Sequence, residues 1–136
     1  MPRPIERDET ATSRRTVLAI VDNLLDAVPI SEAGRMRNLQ VIVARAAEAV
    51  EACVRESPRL IVLDLAAPEA VSLLRNPSLR GIPTVGFYPH VRPALRARAI
   101  EAGLGRALPR SAFFDRLPEV LGELALGSRL PEADMG

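Results

Sequence analysis

Few residues of this chain are placed to do chemistry, and Asp64 is the foremost of them. It closes the run Arg59-Leu60-Ile61-Val62-Leu63-Asp64-Leu65, which is too short for a helix and rich in branched side chains. Such a run reads as a parallel strand buried on both faces, where a carboxylate belongs only at the C-terminal tip. A second run, Thr16-Val17-Leu18-Ala19-Ile20-Val21, ends the same way, in Asp22-Asn23. Ile82 to Tyr88 is a third, followed by His90, the only histidine, and Arg110 follows the short apolar piece Arg106-Ala107-Leu108. In an open parallel sheet, ligands collect beyond the C-terminal strand ends. One crevice is therefore expected to gather Asp22, Asn23, Asp64, Ala66, Tyr88, His90 and Arg110.

Other chemistries are poorly served. A lone Cys53 rules out an intramolecular disulfide and a multi-cysteine zinc site, and its apolar helical setting reads as core. Gly103-Leu104-Gly105-Arg106 reads as a cap and turn, not a phosphate loop, because no helix follows it. No Walker sequence, dinucleotide fingerprint or Ser/His/Asp arrangement is present.

The elements that must position these residues follow from periodicity. Residues 24 to 37 have helical character, with Leu24, Ala27, Val28, Ile30, Ala33 and Gly34 along one side. Pro29 interrupts that pattern and suits only a first turn, so a late helix start is expected. Leu39 to Val43 is a strand, and Ala46 to Glu56 a helix closed by Ser57-Pro58. Pro68 is expected as a first helical residue, with Asn76-Pro77 as the stop. Pro93 opens a helix ending near Ala102 and Gly103. Ser111 is expected to cap a last helix with the apolar stripe Phe113, Leu117, Val120, Leu121 and Leu124, in which Pro118 marks a kink or a late start. Strand and helix alternate five times. The expected fold is α/β: a five-stranded parallel sheet, doubly wound and flavodoxin-like, (βα)5, with strand order 2-1-3-4-5. Residues 15–126 form the domain, between flexible tails at 1–14 and 127–136.

Composition narrows the partners. The chain has 136 residues and 48% hydrophobic content, enough for one core. Eighteen basic residues, all arginine, stand against 17 acidic ones. That balance, with 3% aromatics, speaks against nucleic acid and against an anionic membrane. There is no apolar run of membrane-spanning length and no secretory start, so a reducing cytoplasm is the expected setting.

Over residues 16 to 125 the sequence resembles the receiver domain of bacterial response regulators, the CheY-like family. Val21-Asp22-Asn23 falls at the family's acidic pair, and Val62-Leu63-Asp64 at its phospho-accepting aspartate, with Pro68 at the proline four residues on. Gly81-Ile82-Pro83 through Phe87 matches the fourth strand, and Ala102-Gly103 with Ala107-Leu108-Pro109-Arg110 the approach to the family's lysine. The resemblance implies phosphotransfer from a histidine kinase to Asp64, with Mg²⁺ on Asp22 and Asp64. This chain departs from the pattern: Asn23 replaces the second acid, Tyr88 the switch hydroxyl, and Arg110 the lysine, while Ala66 and Gly86 add nothing polar.

A degenerate, or pseudo-receiver, form is therefore expected, more a binding module than an enzyme. Its alternatives are a working phospho-acceptor using Asp64 and a small-molecule sensor using the same crevice. Asp22 is expected to pair with Arg110 rather than hold Mg²⁺, and His90 to be a surface loop residue, while Tyr88 is open between a rotating reporter and an apolar plug. Arg92, Arg96 and Arg98 read as a solvated face, with an acidic partner's docking edge as the other reading. The partner is expected to be another protein or a second copy. It would bind the face of the fourth helix, fifth strand and fifth helix, through Leu95, Arg96, Arg106, Phe113, Phe114 and Leu117.

Overall fold

A computed structural model describes residues 15–127. The expected tails, 1–14 and 128–136, lie outside the described residues. Five strands, β1 Thr16–Ile20, β2 Gln40–Ala44, β3 Leu60–Asp64, β4 Thr84–Tyr88 and β5 Arg106–Pro109, form one parallel sheet in the order β2-β1-β3-β4-β5. Every residue of β1 and β4 is buried, as the continuous apolar runs require. Registers run Ile20 beside Leu63 and Asp64 beside Phe87, so the C-terminal ends of β1, β3 and β4 share one edge.

The helices are α1 Leu24–Met36, α2 Ala49–Glu56, α3 Ala70–Leu74, α4 Pro93–Glu101, α5 Arg110–Asp115 and α6 Leu117–Leu126. Two cores result. Val17, Val62, Val85, Phe87 and Phe113 meet α1, α5 and α6 on one face of the sheet. Leu18, Ile61, Leu63, Leu65 and Tyr88 meet α2, α3 and α4 on the other.

Local chemistry corrects several expectations. The first helix starts on time at Leu24 with Pro29 inside it, because Asn23 caps it by accepting from Leu25 N–H. Its buried side is Asp26, Ala27, Ile30, Ala33 and Gly34, whereas Leu24 and Val28 are 74% and 61% exposed. The third helix is only Ala70–Leu74, so Pro68 lies in the preceding turn instead of opening it. The last helix is two: Arg116 leaves helical geometry and Pro118 sits in the first turn of α6, where its missing N–H costs nothing. Arg110 is itself the first residue of α5, so Ser111 does not cap it. Gly127, expected in the tail, is the left-handed cap of α6 at φ 63°.

Candidate functional site

Asp64 stands at the tip of β3, half-buried, with its Oδ1 accepting the Ala66 N–H at 2.9 Å. The turn after it is held by Leu65 N–H donating to Phe87 O at 3.0 Å. Leu65 folds over β4 onto Gly86, where a Cβ would come within 2.5 Å of Leu65 Cδ2. Gly86 is therefore what lets the loop carrying Asp64 lie close to β4.

The charge next to Asp64 is organised by a residue the sequence reading did not single out. Asp26, in the first turn of α1, is 4% exposed, and Arg110 binds it with two hydrogen bonds. Nη1 donates to Oδ2 at 3.2 Å and Nη2 donates to Oδ1 in a closer contact. The guanidinium also lies over two rings, its Cζ 4.8 Å from the Phe114 centroid and 5.5 Å from that of Phe87. Phe87, Phe113 and Phe114, the only phenylalanines, pack together with centroids 5.0 to 5.1 Å apart. Arg110 is thus fixed from both sides, by a carboxylate and by an aromatic cluster. This corrects the expected Asp22–Arg110 pair: Asp22 turns outward and accepts the Ala46 N–H at 2.9 Å.

Burial pushes the Asp64 carboxyl above its ordinary value, against the Ala66 N–H. The charge of Asp26 pushes the same way, Arg110 opposes it, and Asp22 adds a smaller push upward. Arg110 is held more firmly protonated, first by its hydrogen bond to Asp26.

The remaining crevice residues divide. Tyr88 is buried among Leu63, Leu65 and Ala99, on the opposite face of the sheet from Phe87. His90 is exposed on the loop after β4, and Ala66 is exposed beside Asp64. The expected partner face is also cut down. Phe113 and Leu117 are buried in the core, since Phe114 and Phe113 both point inward and pack on Phe87. Leu95 and Phe114 are half-buried, and only Arg96 and Arg106 of that set are exposed.

The donors suited to a divalent cation are few. Mg²⁺ keeps several waters and is bound through one or two carboxylates, here Asp22 and Asp64. Asp22 and Asp64 each have one oxygen already serving a backbone N–H, and Asn23 spends its carbonyl on the helix cap. Among the described residues no three His, Cys, Asp or Glu side chains are grouped to hold a metal ion.

The architecture is that of response-regulator receiver domains, and solved structures bear this out. The chain is similar to the signal receiver domain of a signal transduction histidine kinase from Syntrophus aciditrophicus, with a TM-score of 0.71 and 23% identity, covering 89% of this chain and 97% of that one. It is similar to the phosphorylated cyanobacterial phytochrome response regulator RcpA, with a TM-score of 0.68 and 20% identity over 87% and 99% of the two chains. It is also similar to the receiver domain of a sensor histidine kinase from Pseudomonas aeruginosa with magnesium coordinated in the active-site cleft, at a TM-score of 0.70 and 20% identity, covering 84% and 98%. No family model and no curated protein matches the sequence. At these identities the likeness establishes the fold, five parallel strands in receiver order with their helices.

Proposed function

We propose that this chain is a pseudo-receiver: a signalling module that acts through protein contacts and is not switched by standard phosphorylation of Asp64. The observation that carries this is the Asp26–Arg110 clamp. A phosphoryl group on Asp64 needs a cation, and Arg110, at the position of the family's lysine, already spends its fork on a carboxylate 5% exposed. Pulling Arg110 away would leave that carboxylate buried and uncompensated, at a cost of about 3 kcal/mol or more. Tyr88 supports the same reading, because it packs as an apolar plug where the family has a small hydroxyl. Asn23, capping α1, supports it too, as the site loses the second acid that Mg²⁺ would use.

Contacts with a protein partner then fall on the outer side of α4 and β5, where Arg96, Ile100 and Arg106 remain exposed. Among the described residues no helix is long and apolar enough to cross a membrane. The buried free thiol of Cys53 suits the reducing cytoplasm in which we place the module.

The test is the intact mass of the protein after incubation with acetyl phosphate and Mg²⁺, beside Asp64→Asn. The expected result is no gain on either chain. One labile phosphoryl group on the native chain and none on Asp64→Asn would replace this reading with that of a working phospho-acceptor.

A further inference from the structure

A second cleft lies on the far side of the Asp64 loop, between the residues that follow β3 and the helix α4. Its volume is about 250 Å³, and its walls include Leu65, Pro68, Val71, Leu95, Arg92 and Arg98. No acidic residue lines it. Neither arginine has an ion-pair partner among the described residues, and Arg96, which lies between them in sequence, does not reach the cleft. Arg92 immediately precedes α4 and Arg98 lies in its last turn, and both line the cleft together with Ala70, Leu95 and Ala99.

From this arrangement we infer that the cleft is a binding site for a small dianion, one carrying two phosphate or carboxylate groups on a short spacer. Two planar cations in a cleft that no acid lines call for two anionic groups, each able to take a forked hydrogen bond. The space equals roughly eight waters at about 30 Å³ each, which sets the ligand at eight to ten non-hydrogen atoms. The site also touches the loop that carries Asp64. Ala66 and Ala67 line it, and the Ala66 N–H is the group that holds Asp64. An occupied cleft fixes that loop from outside. This assignment uses no residue of the Asp26–Arg110 clamp, so it stands or falls separately.

The experiment is an NMR titration of the full chain with pyrophosphate and, in a second arm, succinate, at physiological ionic strength. The expected result is saturable amide shifts at residues 65–71 and 92–99, with a sub-millimolar Kd for at least one probe. The tighter probe identifies phosphate or carboxylate as the ligand class. Arg92→Ala/Arg98→Ala weakens binding by about tenfold or more, the loss of two charge-assisted contacts. Arg96→Ala leaves the Kd within about twofold, because it removes a charge of the same face without removing a contact. All three side chains are exposed, so an unchanged Tm shows that the variants are folded. No saturable shift with either probe overturns the assignment. So does equal weakening by Arg96→Ala, which would mean general attraction to an arginine-rich face.

Discussion

Removing Arg110 should cost more than removing its partner, because the two ends of the clamp differ in exposure: 47% for the Arg110 side chain and 5% for that of Asp26. Arg110→Met leaves a carboxylate in the core edge with no cation and little water, a loss of about 3 kcal/mol at the low end for broken buried pairs. Asp26→Asn keeps the shape and leaves a guanidinium that water reaches from its open side and that still lies over Phe87 and Phe114. That change should cost about 1 kcal/mol. The double variant leaves no orphan charge and should cost about 2 kcal/mol, well under the sum, so the pair shows a coupling of about 2 kcal/mol. With roughly 4 °C in Tm per kcal/mol for a domain of this size, the single variants fall by about 12 °C and about 4 °C. Urea unfolding at pH 7, followed by far-UV circular dichroism, measures all four chains. An Asp26→Asn variant as unstable as Arg110→Met, or strict additivity, would refute the reasoning.

Three further outcomes follow from the same geometry. Asp64→Asn should raise stability at pH 7, since burial lifts the Asp64 carboxyl above its ordinary value and so penalises its charged form. The native chain has this group's contribution in full below the unfolded aspartate value and loses it as pH rises through the folded one. The advantage of Asp64→Asn should therefore vanish in acid, and a gain that grows as pH falls would contradict the cause. Gly86→Ala should destabilise by about 1–2 kcal/mol by pushing Leu65 off β4, and denaturant midpoints check it against Gly81→Ala, where space is open but φ is 86°. Cys53 should react with a thiol reagent only as fast as the domain opens, because burial raises its thiol and its Sγ contacts Ser78 O at 3.4 Å.

The sequence carried the fold because its signals were of the strongest kind. Short β-branched runs such as Leu60–Asp64 recur between amphipathic segments, and their continuous burial follows directly from an all-parallel sheet. The placement of Asp64, Asp22 and Arg110 at one sheet edge was legible for the same reason. Asp26 was not. An acid in a first helical turn ordinarily faces water and the helix dipole, and the apolar residues Leu24 and Val28 point to a different side, which the structure exposes. A signal was present all the same: Asp26, Ile30 and Ala33 follow the helical repeat, which puts the acid on the buried side. Phe113 and Phe114 misled in the opposite direction. Adjacent residues on one helix seldom both face a core, yet Phe87 offers one ring to both, and the break at Arg116 frees α5 to turn toward it.

The most direct measurement of the central claim is the side-chain NMR spectrum of Arg110 with and without beryllofluoride and Mg²⁺, which mimic a phosphoryl group on Asp64. A guanidinium held by two hydrogen bonds rotates slowly and gives resolved Nη–H signals. Such signals are expected for Arg110 in the native chain, with their loss in Asp26→Asn and no change on adding beryllofluoride. Arg110 signals that move to a new bound position with beryllofluoride, and fail to do so in Asp64→Asn, would show that the fork is free to leave Asp26 and would contradict the account.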